Sequence, residues 1–292
     1  MSRPFIALVV IASGLTTFSQ QPPTFRTRTD VVAIDVSVMN GKKPVTTLTK
    51  DDFRLTDDGV AQTLLDVGRE QMPLDVTLTI DISGSVTPEK RAAIERAVRQ
   101  VSETLHPDDR CSVVSFGSHI VEESVMNRPP AGLSLSNRGT GGTSFLDALL
   151  LSLVTAPSIG RRQLNLFLTD GVDTTSFFKI GLLRDTLQFS NGQTSIILVR
   201  GGRGSNLGDG PVMDLLKVVT ATGGGQIVEL DKDDVLKDKF LATLDEFRTS
   251  YLLRYAPTGV PRPGWHPVVV TVAKGKPTIR ARQGYWSGGA GG

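Results

Sequence analysis

The chain has 292 residues, a formal net charge of +2, 39% hydrophobic and 21% charged residues. That balance is ordinary for a globular protein and gives no reason to expect nucleic acid or an acidic membrane as partner. The length suits one large domain, or a medium domain with a smaller companion. The 30 glycines and 16 prolines are spread along the chain and mark turns rather than disorder. The single cysteine, Cys111, excludes an internal disulfide, and its apolar setting "RCSVVSFG" predicts a buried, inert thiol.

The first stretch, "MSRPFIALVVIASGLTTFSQQ", reads as an export signal. Arg3 precedes an apolar core running from about residue 5 to residue 15, and Thr17 and Ser19 stand like a −3/−1 cleavage pair. The prediction is a signal peptide over 1–19 and an exported protein, periplasmic or extracellular. No later apolar run is long enough to span a bilayer.

Residues 30–68 predict a β-rich flank. "TDVVAIDVSVMNGKKPV" alternates apolar and polar residues and ends in turn chemistry, and "DDFRLTDDGVAQTLLDVG" repeats the idea around Asp58-Gly59. From residue 72 to 250 strands and helices alternate. "PLDVTLTI" is a strand. "TPEKRAAIERAVRQVSETL" is an amphipathic helix with Ala93, Ala97, Val98, Val101 and Leu105 on one face, opened by Thr87, Pro88 and Glu89. "CSVVSFG", "RQLNLFLTDG", "TSIILVR" and "GQIVEL" are strands. "SFLDALLLSLVTA", "GLLRDTLQFS", "PVMDLLKVVTATGG" and "DVLKDKFLATLDEFRTS" are helices. The alternation predicts an α/β fold with a mainly parallel, Rossmann-like sheet and helices on both faces. Residues 251–286 turn β-rich again, in "YLLRYAP", "HPVVVTVA" and "TIRARQGY". Each flank is too small to hold a core alone. The two are therefore expected to pair into one small β domain around the α/β unit. The tail 287–292 is expected to be disordered.

Ligands of parallel sheets bind at the carboxyl ends of the strands. Three segments of this chain deliver oxygen atoms there. "LDVTLTIDISGSVTP" puts Asp81, Ser83 and Ser85 after the first strand of the α/β unit. "GTGGTSFLDA" puts Thr143 in a glycine-rich loop that opens a helix, and "FLTDGVDT" puts Asp170 after a later strand. Two carboxylates and three hydroxyls suit a hard cation, Mg²⁺ first, then Mn²⁺ or Ca²⁺. Taken singly, Thr143 could merely cap a helix and Asp170 merely open a turn.

The D-x-S-x-S of Asp81, Ser83 and Ser85, followed by Thr143 and by the T-D-G aspartate Asp170, resembles the metal-ion-dependent adhesion site of von Willebrand factor type A domains. The flanks resemble the borders of bacterial exported proteins related to that family. The resemblance implies a binding module rather than an enzyme. All five residues would hold the ion directly or through water, and an acidic group of a protein partner would complete the shell. It also implies that the last helix shifts when ligand engages. Two alternatives remain open: a metal-free envelope scaffold of the same fold, and a phosphotransfer enzyme of the haloacid-dehalogenase type. The latter wants D-x-D, and Ser83 occupies the second acidic place.

Other motifs carry less. In "GGRGSNLGDG", Leu207 stands where a dinucleotide-binding loop needs its third glycine, so a surface loop is expected. "DKDDVLKDKF" lacks the glycine of a calcium-binding loop and reads as a helix N-terminus. His106, His119 and His266 are scattered and read as surface or turn residues.

Overall fold

The computed structural model describes residues 31–69, 72–84, 86–127, 134–136, 141–155, 158–199, 210–230, 236–261 and 263–288. The expected signal peptide and most of the "GGRGSNLGDG" loop lie outside these residues. The described chain begins with β1 (Val32–Asn40), β2 (Lys43–Pro44), β3 (Phe53–Asp57), β4 (Val60–Gln62) and β5 (Leu64–Gly68). The α/β part follows as β6 (Leu74–Asp81), α1 (Pro88–Thr104), β7 (Arg110–Phe116), β8 (Ile120–Asn127), α2 (Phe145–Val154), β9 (Arg162–Thr169), α3 (Ile180–Leu187), β10 (Gln193–Val199), α4 (Pro211–Gly223), β11 (Ile227–Leu230) and α5 (Leu236–Thr249). It closes with β12 (Tyr251–Tyr255), β13 (Gly264–Val272), β14 (Thr278–Ala281) and β15 (Gly284–Ser287).

The central sheet has the order β11-β10-β9-β6-β7-β8. Its first five strands are parallel, and β8 runs antiparallel to β7. All eight residues of β6 are buried, as a central strand covered on both faces requires. One face packs Val98 and Val101 of α1 and Phe240 and Phe247 of α5 against Leu78 and Leu166. The other packs Leu149 of α2, Leu183 of α3 and Leu216 of α4 against Phe167 and Ile196. Helix α1 begins where its sequence says it should. The Thr87 hydroxyl accepts from the Lys90 N–H at 3.3 Å, and Pro88 takes the first helical position, where a missing N–H costs nothing.

The other two sheets are antiparallel. One has the order β14-β1-β12-β5, with β2 on β1, and the other β15-β13-β3-β4. Ile34, Val36, Leu253 and Tyr255 from the first share a core with Phe53, Leu55, Val268 and Val270 from the second. Strands from before and after the α/β part therefore pair directly, Val32 opposite Tyr255 and Val268 opposite Asp57.

The structure corrects several expectations. The protein as a whole is mixed: the mainly parallel arrangement describes the six-stranded layer only, and even there β8 is reversed. The reason is the connection. Only residues 117–119 separate β7 from β8, and a link so short can join only antiparallel strands. The sequence hides β8 because "IVEESVMN" is a half-exposed edge carrying two acids. "TIRARQGY" is two strands, β14 and β15, rather than one. Ser287, expected in the disordered tail, closes β15. Cys111 is fully buried, and burial pushes its thiol up to about 12, as an inert cysteine requires.

At the amino end of β6, Asp75 receives Arg110 Nε at 2.9 Å and Arg161 Nε at 2.5 Å. Burial pushes its carboxyl up, but the two guanidinium groups outweigh burial and hold it below its ordinary value of 3.8. A depressed acid stabilises the fold above its unfolded value and loses that contribution as pH falls through the folded one. Asp75→Asn is expected to cost about 3 kcal/mol at pH 7 and to flatten the loss of stability below about pH 4. Denaturant midpoints between pH 3 and pH 7 check this. An Asn variant as acid-sensitive as the wild type would remove Asp75 as the cause.

Candidate functional site

Four of the five residues picked out for a cation lie within the described residues; Ser85 lies outside them. Asp81 ends β6 and is 4% exposed. The pairing of β6 with β9 brings Ile80 level with Leu168, so Asp81 and Asp170 stand at the carboxyl ends of adjacent parallel strands. Ser83 and Thr143 are also buried, whereas Asp170 is half-buried.

Asp81 is held from two sides. Its Oδ1 accepts the Ser83 N–H at 3.0 Å, and its Oδ2 accepts the Thr169 hydroxyl at 3.0 Å. Thr169 in turn accepts the Gly171 N–H at 2.9 Å. Burial pushes the Asp81 carboxyl above its ordinary value. The Ser83 amide and hydroxyl oppose that shift, and the charge of Asp170 adds to it. Asp170 folds back onto its own turn, its Oδ1 accepting the Val172 N–H at 3.1 Å. Gly171 follows with φ +76°, a backbone setting that a side chain rarely tolerates.

Thr143 is fixed by the segment that follows Asp170. Its carbonyl accepts the N–H groups of Thr174 and Thr175, and its own N–H donates to Thr174 Oγ1 at 2.7 Å. The glycine-rich approach has a packing reason. A Cβ on Gly142 would lie 2.3 Å from Thr175 Cγ2 and 2.6 Å from Thr174 Oγ1. The same segment is tied to α2. Asp173 accepts the Leu146 N–H, and the Asp147 carboxylate accepts the N–H groups of Phe177 and Phe178. Ser144 N–H donates to the Gly117 carbonyl at 2.7 Å, joining this loop to the end of β7, whose Phe116 is level with Asp81.

The loops after β6, after β7, before α2 and after β9 thus form one network at one edge of the sheet. Of the residues expected to hold a cation, it carries the Asp81 and Asp170 carboxylates with Ser83 and Thr143, which together offer oxygen donors only. Beside it lies a pocket with an apolar floor that includes Val86, Ile94, Leu168 and Val199. Sequence reasoning missed the supporting residues Thr169, Thr174, Asp173 and Asp147. The only signal for the first three was the density of hydroxyls and acids in "TDGVDTTS", whereas Asp147 stands in the first turn of α2.

His266 departs from expectation. It is 2% exposed, on β13, in a cluster with Asp57 and Asp58. That cluster belongs to the antiparallel sheets and shares no residue with the network around Asp81.

No protein-family model matches the chain, and no curated protein matches it. Solved structures do resemble it. A von Willebrand factor type A protein from Catenulispora acidiphila has a TM-score of 0.49 at 12% identity, covering 90% of this chain and 76% of its own. The ArnB paralog VWA2 from Sulfolobus acidocaldarius has a TM-score of 0.48 at 10% identity, covering 87% and 75%. The conserved hypothetical protein BatB from Bacteroides thetaiotaomicron has a TM-score of 0.42 at 14% identity, covering 60% of this chain and 98% of its own. Among the described residues, no helix is long and apolar enough to cross a membrane. The chain is similar to von Willebrand factor type A proteins.

Proposed function

We propose that this protein is an exported, non-enzymatic, divalent-cation-dependent binding module. Asp81, Ser83, Ser85, Thr143 and Asp170 would hold Mg²⁺, with Mn²⁺ or Ca²⁺ as substitutes, and a carboxylate of a protein partner would complete the shell. In this reading residues 72–250 form the binding domain, and the two flanks form one β domain that carries it. The carrying observation is the buried Asp81 carboxylate, pushed up by its burial and by the neighbouring charge of Asp170. A buried carboxylate beside a second acid is relieved by a divalent ion.

The chain's own residues divide the work. Thr169 and the Ser83 amide orient the Asp81 carboxylate before any ion arrives. The 174–175 backbone fixes Thr143. The hydroxyl donors add no charge, so a bound ion would keep affinity for an incoming anion. The apolar floor beside Asp81 and Asp170 offers a place for an apolar group next to that acid.

The test is calorimetric titration of Mg²⁺ and Mn²⁺ into EDTA-treated protein, with and without acetate, beside Thr143→Ala. Saturable binding, at least tenfold weaker in the variant, is expected. No binding to the wild type, even with acetate present, would overturn the cation reading and favour a metal-free scaffold.

A further inference from the structure

The geometry points to a second metal site, in the antiparallel sheets rather than at the edge of the parallel one. We propose that Asp57, Asp58 and His266 bind a transition-metal ion of the Zn²⁺ class. One ligand atom from each residue lies within 4.8 Å of the others. Asp57 and His266 are 0% and 2% exposed. Within this enclosure Asp57 Oδ1 accepts no hydrogen bond, and His266 Nδ1 makes none, although Asp58 Oδ2 lies 2.7 Å away. Buried polar atoms are rarely left without a hydrogen bond, and the contacts of Nδ1 with Asp57 Oδ1 and Asp58 Oδ2 hold the three atoms together without one.

The rest of each side chain is already committed in ways that aim these atoms at one another. Asp57 Oδ2 accepts the hydroxyls of Tyr255 and Tyr285, both at 2.9 Å, which leaves Oδ1 to face His266. His266 Nε2 is 2.8 Å from Ser287 Oγ, and the ring stacks on Tyr285 with centroids 5.0 Å apart. A metal-binding imidazole is generally fixed in this manner through its second nitrogen. Asp58 is placed by the hairpin. Asp58 and Gly59 have φ of +49° and +77°, the pattern of a two-residue primed turn between β3 and β4.

The donor set and distances favour zinc over a hard cation. Imidazole nitrogen with two carboxylates suits Zn²⁺, Co²⁺ or Mn²⁺ better than Mg²⁺ or Ca²⁺. Around a tetrahedral zinc, neighbouring ligand atoms stand about 3.4 Å apart. Asp57 Oδ1 and His266 Nδ1 are already 3.5 Å apart. Asp58 Oδ2 must retreat by about 0.7 Å, and its side chain, 24% exposed, has room on the solvent side. Two carboxylates neutralise a divalent ion, whereas an imidazolium alone would leave the cluster one negative charge in excess. The ion would clip the β3–β4 turn to β13 and, through Ser287, to β15.

The experiment is Zn²⁺ titration of the metal-free full chain, followed by calorimetry and thermal unfolding, beside Asp58→Asn and Asp81→Asn. Asn-Gly suits the same turn, so Asp58→Asn keeps the hairpin. Expected are one equivalent of zinc at micromolar affinity or tighter, a rise in Tm, at least tenfold weaker binding in Asp58→Asn, and unchanged binding in Asp81→Asn. Co²⁺ should give a visible spectrum with nitrogen ligation in the wild type and lose it in Asp58→Asn. No stoichiometric zinc, equal binding by Asp58→Asn, or loss in Asp81→Asn would each overturn the proposal. Because Asp81 serves as the control, this result and that of the Mg²⁺ titration are independent.

Discussion

Asp81→Asn is expected to abolish Mg²⁺ binding and to leave the metal-free protein at least as stable as the wild type. Both halves follow from the same shift. Asp81 is pushed up by burial, with Asp170 adding to the shift. A raised acid binds its proton more readily in the folded state. Above the folded value its ionised form therefore costs stability, and the cost disappears as pH falls through that value. An amide of the same shape removes the charge. Its oxygen can still accept the Ser83 N–H, and its NH₂ can donate to Thr169 Oγ. Thermal unfolding in EDTA should show no loss of Tm, while calorimetry should show affinity lowered by at least a hundredfold. In the wild type, protons and Mg²⁺ compete for Asp81. The apparent affinity should thus fall with pH, starting above the ordinary carboxylate value of 3.8. Destabilisation by more than about 2 kcal/mol in EDTA, with Mg²⁺ binding preserved, would make Asp81 a structural acid and sink the cation reading.

The second large effect is on stability and concerns Glu246 of α5. This carboxylate is 8% exposed. It accepts Ser37 Oγ of β1 at 2.6 Å, Gln226 Nε2 at 3.0 Å and Arg280 Nε of β14 at 2.9 Å. Glu246→Ala would strand a guanidinium and two polar groups at the junction between α5 and the antiparallel sheet. Removing one partner of a buried pair costs about 3–5 kcal/mol, which corresponds to a fall in Tm on the order of 10 °C for a chain of this size. Glu246→Gln should recover part of the loss, because one amide oxygen can still accept while its NH₂ opposes the Gln226 NH₂. Calorimetric unfolding of the three proteins decides it. A loss below about 1 kcal/mol would mean that water or rearranged neighbours satisfy the stranded groups. These contacts also bear on the helix shift that the family resemblance implies. Any axial movement of α5 must first break the bonds at Glu246, and the bond from Arg248 to Asp109 at 2.6 Å.

The α/β alternation was legible because each strand and helix repeats its period over enough residues to be seen alone. Apolar runs such as "LNLFL" and the 3.6-residue pattern of α1 are local facts. That Asp81 and Asp170 stand at one sheet edge was legible for a related reason: in a parallel sheet, residues at strand ends share one edge whatever their separation in sequence. β8 was not legible, since a half-exposed edge has no strong apolar period. The His266 cluster was hidden for a different reason. Asp57 and Asp58 sit at a hairpin near the start of the described chain, and His266 on a strand near its end. Antiparallel register alone brings them together, through Asp57 opposite Val268. Nothing in the local sequence of "WHPVV" separates a buried histidine from an exposed one.

The interleaving of β1 between β12 and β14 has a consequence for how the protein comes into being. The hydrogen bond from Tyr255 to Asp57 closes a span of 198 residues, and that from Ser37 to Glu246 one of 209. A chain emerging from its amino end therefore makes β1 to β5 long before their partner strands exist. The six strands of the central sheet pair only with one another, so the α/β part can assemble while the first strands wait. Loop closure grows only as the logarithm of length, so the delay is kinetic rather than a burden on final stability. During that interval the apolar face of β1 and its unpaired edge are open to other chains. Folding yield should accordingly depend on how quickly the last fifty or so residues follow the first fifty, and a truncation that removes β12 to β15 should leave the amino-terminal strands prone to aggregation.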